Sequence, residues 1–318
     1  MLKSIDILSI GEAMAELSTH GALQSAGSFS LDYAGDTFNT AVSAARLGSQ
    51  VAFLTCHGQD AFAEGLRGRL KSEGIAIEGN RATSDPTGLY FVSVDESGEG
   101  QFTYYRQNSA ASMLSENDIT AEQIQNCQLV YSSGISLAIS DSCRKAVLKA
   151  FKMAREFGIT TAFDPNYRSK LWIVPGAAQN CLKEIAPYID FCFPSFSLDT
   201  HYFAESIQSP EDLVMQFQKL GIPNVLVKAS AKGVYSGFEG SIKHYPAHAV
   251  AQVVDSTGAG DAFNGGFLRG LTQGNALETC IQLGLVTAAL KITKAGTASA
   301  MPYQKEVYPT LAVAYSTN

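Results

Sequence analysis

Long apolar runs are missing from this 318-residue chain. No stretch approaches the roughly 20 consecutive apolar residues that a membrane-spanning helix needs. Runs of lysine or arginine are missing too, and 23 basic against 30 acidic residues leave a net charge of −7. That balance argues against duplex nucleic acid or an anionic membrane as the main partner, since both call for clustered positive charge. An anionic small molecule stays open, because a few local arginines override a net charge. The opening Met1-Leu2-Lys3-Ser4-Ile5-Asp6 lacks the apolar core and small-residue cleavage site of a signal peptide, so the chain reads as cytoplasmic. The six cysteines are scattered with no Cys-x-x-Cys pair, which suits buried thiols in a reducing compartment. His244 and His248 have no third ligand or Glu to complete a metal site, and they read as surface residues.

Hydrophobic residues make up 46%, an ordinary globular fraction that excludes a disordered or fibrous chain. A chain this long buries on the order of 75% of its unfolded surface without disulfide staples. Apolar runs predict strands at 5–10, 51–55, 128–133, 159–163, 189–193 and 224–228. Helical spacing predicts helices at 37–48, 60–74 (capped by Asp60), 141–157, 175–187, 197–205 and 210–220. Strands alternating with helices imply a mostly parallel sheet covered on both faces. Two segments break the pattern. Residues 12–35 alternate loosely with Gly and Ser, and 87–110 holds two aromatic runs around a Gly-rich turn, which predicts a hairpin. We read both as a small antiparallel flap within one domain spanning 1–318. There is no internal repeat, and the small, polar tail after Pro309 is expected to be loose.

The most informative stretch is Val253-Val254-Asp255-Ser256-Thr257-Gly258-Ala259-Gly260-Asp261-Ala262-Phe263. It reads as an apolar strand, a small-residue turn and a helix with Phe263, Phe267 and Leu271 on one side. Glycine lets backbone approach an anion closely, and the first N–H groups of a helix have no partners within it. Together they make a nest for phosphate or developing negative charge. Asp261 lies inside this electropositive turn. A helix N-cap would account for it, and so would a base that takes a proton from a hydroxyl attacking phosphorus. No Gly-x-x-x-x-Gly-Lys-[Ser/Thr] is present, which excludes a P-loop. Gly258-x-Gly260 is followed by Phe263 where a dinucleotide fingerprint needs a third glycine, which disfavours an NAD-dependent oxidoreductase.

Asp255-Ser256-Thr257-Gly258-Ala259-Gly260-Asp261 resembles the C-terminal signature Asp-Thr-Thr-Gly-Ala-Gly-Asp of the ribokinase-like (PfkB) carbohydrate kinases. Ala34-Gly35-Asp36-Thr37-Phe38-Asn39 resembles their N-terminal signature, and the resemblance spans roughly residues 5–303. It implies a three-layer α/β fold with a β lid, ATP and Mg²⁺ as cofactors, and a homo-oligomer. Within the family, detail is similar to the kinases of 2-keto-3-deoxygluconate. Gly11-Glu12-Ala13-Met14, Gly88-Leu89-Tyr90, Tyr104-Tyr105-Arg106, Ser133-Gly134-Ile135 and Phe163-Asp164-Pro165-Asn166-Tyr167-Arg168 carry this likeness. The resemblance assigns Gly35, Asp36, Asn39, Tyr90, Tyr104, Arg106, Ile135 and Arg168 to the sugar acid. It assigns Asp261 to the base, and Gly258, Ala259 and Gly260 to the anion hole. Ser195, Lys228, Ser230, Gly233, Gly258 and Gly260 fall to the nucleotide.

The chemistry of the residues agrees, since Arg offers a fixed fork of donors matched to a carboxylate. Taken singly, Arg106 reads equally as a charged edge residue and the tyrosines as packing. Asp164 and Asn166 read as turn formers. Three departures stand out. Ser195-Phe196-Ser197-Leu198-Asp199 occupies the place of an Asn-x-x-Glu element, which leaves Asp199 as the candidate Mg²⁺ ligand. Leu285 stands where many members carry an adenine-side Asn. Ser256 replaces a Thr. The rival readings are a fructokinase or ribokinase on the same fold, and a non-catalytic sugar or nucleotide sensor.

Overall fold

The computed structural model describes residues 3–77, 79–94, 100–203 and 207–316. In chain order the strands are β1 (Ile5–Ile10), β2 (Met14–His20), β3 (Ser30–Ala34), β4 (Val51–Leu54), the two-residue β5 (Cys56–His57) and β6 (Arg81–Ala82), β7 (Leu89–Val94) and β8 (Gly100–Tyr105). They continue with β9 (Cys127–Ser133), β10 (Thr160–Asp164), β11 (Phe191–Cys192), β12 (Asn224–Lys228), β13 (Val234–Phe238) and β14 (Ser241–Tyr245). The helices are α1 (Asp36–Arg46), α2 (Ala61–Ser72), α3 (Ala121–Gln125), α4 (Gly134–Ala138), α5 (Asp141–Phe157), α6 (Ala177–Ile185), α7 (Pro210–Lys219), α8 (Ala259–Thr272), α9 (Leu277–Lys291) and α10 (Gln304–Ser316). Asp60 caps α2 as expected, accepting from the Ala63 N–H at 2.8 Å. No helix among the described residues is long and apolar enough to cross a membrane.

Eight strands make the main sheet in the order β14-β13-β12-β11-β10-β9-β1-β4. All pairs from β12 to β4 are parallel, while β13 and β14 add an antiparallel edge. Strand side chains alternate between faces, and here both faces are covered, so apolar residues dominate both sides of the strands. Leu8, Val130, Phe163, Cys192, Val225 and Val227 join one core with Phe151, Leu182 and Phe217 from α5, α6 and α7. Ile7, Leu129, Tyr131, Ala162, Phe193 and Leu226 join the other with Phe38, Phe263 and Ile281 from α1, α8 and α9. This is the three-layer α/β arrangement the sequence implied.

The flap is a separate four-stranded sheet in the order β3-β2-β7-β8. Its β2–β3 and β7–β8 pairs are antiparallel, and the central β2–β7 pair is parallel. The turn expected between β7 and β8 lies, except for Gly100, outside the described residues. One row runs across the flap in register: Asp32, Glu16, Tyr90, Tyr104.

Three local expectations need correction. Val253 and Val254 form no strand and are exposed. Their stretch is zipped instead to the end of α9, with the Val254 and Asp255 N–H groups donating to Ile292 O at 2.8 and 3.2 Å. The helix expected at 197–205, whose residues 204 and 205 lie outside the described residues, is up to residue 203 only a 3₁₀ turn at Asp199–Tyr202, where the Asp199 side chain pins the chain on the preceding loops. The tail past Pro309 is not loose where described. It belongs to α10, which docks Val307 and Leu311 on Leu47, Leu283 and Val286, and that burial outweighs the missing proline N–H.

Candidate active site

Open α/β sheets present ligand sites outside the carboxyl ends of their parallel strands. The candidate residues collect there. Glu12 follows β1, Ile135 follows β9, Arg168 follows β10, Ser195 follows β11, and Lys228 ends β12. The amino ends of α1 and α8 add Gly35–Asn39 and Gly258–Asp261.

The turn into α8 is tied from within. Asp255 accepts from the Thr257 N–H at 2.8 Å and from the Gly296 N–H at 3.0 Å. Gly258 then takes a left-handed conformation, φ +76°, which a side chain would strain, and the helix begins. The N–H groups of Gly260 and Asp261 find no acceptor among the described residues. The anion nest read from the sequence is therefore open.

Asp261 stands at its mouth. Its Oδ2 accepts a 2.8 Å hydrogen bond from Asn39 Nδ2, and no other described side chain donates to the carboxylate. Burial pushes its pKa up to about 8, with the nearby Asp36 charge adding and the Asn39 bond opposing. The N-cap of α8 is Gly258, so Asp261 does not serve as the cap, and a carboxyl so placed can accept a proton. Asn39, assigned by resemblance to the substrate, is the group that holds Asp261.

Behind the base lies a network that sequence reasoning missed. Asp164 Oδ2 accepts from Lys228 Nζ at 2.5 Å and from Asn264 Nδ2 at 2.7 Å. Asn264 also donates to Tyr131 Oη at 3.1 Å. Lys228 Nζ lies 3.3 Å from where a side chain on Gly260 would begin, so its charge borders the anion turn. The available signal was Asn264, one polar residue among the apolar positions of α8 and fully buried. Asp164 is more than a turn former, although Asn166 does turn there, its N–H donating to Asp164 Oδ1 at 3.1 Å.

On the flap side the arginines differ. Arg106 forms an ion pair with Glu12, a carboxylate only 1% exposed that also accepts from Ser109 Oγ at 3.1 Å. Burial raises the Glu12 pKa against the pull of Arg106. Arg168 donates to the neighbouring Tyr167 O at 2.9 Å and forms no ion pair among the described residues. Both arginines act on the Tyr104 hydroxyl: burial raises its pKa, and the charge of Arg168 and then of Arg106 opposes. Both arginines thus lie within electrostatic reach of Tyr104, and the Arg106 guanidinium stands 5.6 Å from the Tyr104 ring centre. Tyr104 stacks on Tyr90 with ring centres 5.4 Å apart and remains 41% exposed. The Tyr90 hydroxyl is not free, because it donates to the buried Glu16, so Tyr90 offers a wall and no donor.

Asp36 is held by Asn166 Nδ2 at 2.8 Å, and Ile135 is buried at the start of α4. Gly35 touches the root of the flap: a Cβ there would stand 2.2 Å from Glu12 O. Gly35→Ala should therefore cost about 1–3 kcal/mol, read as a lowered denaturant midpoint at unchanged m-value.

On the nucleotide side, Ser195 Oγ meets Ser197 Oγ at 3.1 Å, and Ser230 begins and Gly233 follows a 3₁₀ turn after β12, both at positive φ. Asp199 is corrected. It is fully buried, and its two oxygens accept the Tyr167 and Ser195 N–H groups at 2.7 and 2.6 Å. It is a joint between two loops and presents no face to a cation. Among the described residues no cluster of three or more His, Cys, Asp or Glu could hold a metal. Leu285 is buried in the core beside α8.

Comparison with known proteins agrees with this geometry. The pfkB family carbohydrate kinase pattern matches residues 4–304. A 2-dehydro-3-deoxygluconokinase of Haemophilus influenzae is 31% identical over 90% of this chain and 93% of its own. A probable fructokinase-4 of Arabidopsis thaliana is 31% identical over 85% of this chain and 84% of its own. The crystal structure of aminoimidazole riboside kinase from Salmonella enterica, complexed with aminoimidazole riboside and an ATP analog, superimposes with a TM-score of 0.84. It is 25% identical and covers 96% of this chain and 99% of that one.

Proposed function

The chain belongs to the pfkB family of carbohydrate kinases, and we propose that within it the protein transfers the terminal phosphoryl group of ATP to 2-keto-3-deoxy-D-gluconate, giving the 6-phosphate. The observation that carries this reading is Asp261, held by Asn39 beside the open N–H groups of Gly260 and Asp261. The relative from Haemophilus influenzae is named for the same sugar acid, under its synonym 2-dehydro-3-deoxygluconate.

In the mechanism, the sugar acid lies between the flap and the strand ends, its carboxylate toward Arg168 and its terminal hydroxyl at Asp261. Asp261 takes the hydroxyl proton as that oxygen bonds to the γ-phosphorus. The bond from phosphorus to the β,γ-bridging oxygen breaks, and ADP leaves with that electron pair. The Gly258–Gly260 turn and Lys228 face the charge on the transferred group. Mg²⁺, when bound, neutralises phosphate charge. With Asp199 enclosed, it would enter on the nucleotide's own phosphates, as Mg²⁺ commonly does.

A neutral-sugar kinase is the second reading, and one observation favours it: Arg106 is already neutralised by Glu12. Coupled ADP release with the sugar acid, fructose and ribose decides between them. The highest kcat/KM on the sugar acid is expected, and a preference for fructose or ribose would overturn the assignment. Arg168→Ala should raise KM for the sugar acid by about ten- to a hundredfold, the worth of one charge-assisted contact, with kcat nearly unchanged. An unaltered KM removes Arg168 from carboxylate recognition. We extend the reading to a homo-oligomer joined through the outer flap face, where Leu31 and Tyr105 are exposed. Light scattering that finds only monomer would refute that extension.

A further inference from the structure

Lys291 is the last residue of α9 and has no solvent exposure. Burying an ammonium costs several kcal/mol unless it is compensated, and a leucine or methionine would fill the same space without that cost. Its Nζ donates to Asp255 O at 2.8 Å and lies 3.8 Å from Asp255 Oδ2. It thus grips the residue that opens the turn into Gly258. Asp255 then binds the Thr257 and Gly296 N–H groups, and its own N–H is tied to Ile292, the residue after Lys291. The contacts of Lys291 and Ile292 at the end of α9 thus reach the open nest through Asp255, with the Val254 N–H tied to Ile292 beside it. Burial lowers the Lys291 pKa, while the charges of Asp255, Asp261 and Glu16 support its cationic form. The ammonium is therefore within electrostatic reach of the base.

Resting on the kinase reading above, we propose that Lys291 is a positioning residue for phosphoryl transfer, its ammonium fixing the Asp255–Gly258 turn and placing positive charge behind the anion nest. It touches neither substrate, so its removal should act on the chemical step and not on binding. Lys291→Met keeps the volume and removes the charge. It should lower kcat by about ten- to a hundredfold, less than the loss of a direct anion-hole donor, with both KM values within about twofold of wild type. Lys291→Gln restores a neutral donor toward Asp255 O and should fall between the two. The comparison is made on whichever of the three sugars the wild type phosphorylates, so a wrong substrate changes the sugar and leaves this test intact. A Lys291→Met kcat within threefold of wild type overturns the inference. So does a Lys291→Gln chain that fails to fold, or one that loses affinity for sugar and ATP alike, since either makes the residue a purely structural post.

Discussion

Asp261→Asn is expected to lower kcat by about a thousandfold, within the 10²–10⁴ range for loss of a general base, while ATP affinity changes by no more than a few-fold. The substitution is clean because the asparagine side-chain oxygen can still accept the 2.8 Å bond from Asn39. The turn at Gly258 and the open N–H groups are main-chain features and are untouched. What disappears is the ability to hold the proton of the attacking hydroxyl. Retention of activity within a few-fold of wild type would reduce Asp261 to a helix cap, and the proposed chemistry would lose its base.

The same residue sets a pH dependence whose sign is fixed. A base must be ionised to work, and burial with the Asp36 charge pushes the Asp261 pKa up to about 8. In the wild type kcat/KM should rise with pH through about 8 and then level, whereas the residual activity of Asp261→Asn should lack that limb. Stability runs the opposite way. A carboxyl whose folded pKa is raised contributes stability that is fully present below the ordinary carboxylate range and is lost as pH rises through about 8. Asp261→Asn should therefore melt above the wild type in alkaline buffer and lose that advantage in acid. Thermal melts across the range check this.

Much of this architecture was legible because its signals are local. The anion turn is seven consecutive residues, Asp255 to Asp261, and Asp60 caps its helix from one position away. The alternation of strands and helices needs only the period of apolar residues. Illegible features depend on partners far along the chain. Val253 and Val254 look like a strand, but no described strand pairs with them, and the Val254 N–H donates to Ile292 O. Asp199 carries the residue type of a metal ligand, yet Tyr167, 32 positions away, claims one of its oxygens. Lys228 reads in the sequence as a nucleotide contact, while its pairing with Asp164, 64 positions earlier, leaves no sign there. Lys291 ends a largely apolar helix, and its acceptor is a main-chain carbonyl that sequence does not display.

Arg106 is where that distance has the greatest energetic consequence. Arg106→Ala should cost about 3–5 kcal/mol of stability, the penalty for stranding one member of a buried ion pair, and also raise KM for the sugar acid at least about tenfold. The stranded partner is Glu12, 1% exposed and held by Ser109 besides Arg106. Two effects are therefore mixed in one substitution, and a second substitution separates them. Glu12→Gln in the Arg106→Ala background removes the unpaired charge, so most of the lost stability should return, while KM should stay high because no guanidinium has been restored. A double variant as unstable as the single would show that the pair is not the source of the loss. A recovered KM would show that Arg106 never met the sugar acid and only neutralised Glu12. Burial already raises the Glu12 pKa, so without Arg106 the carboxyl should take up a proton more readily. The stability deficit of Arg106→Ala should accordingly shrink as pH falls, and the double variant, with no carboxyl at position 12, should lack that relief in acid. Denaturant midpoints at neutral and acidic pH measure both.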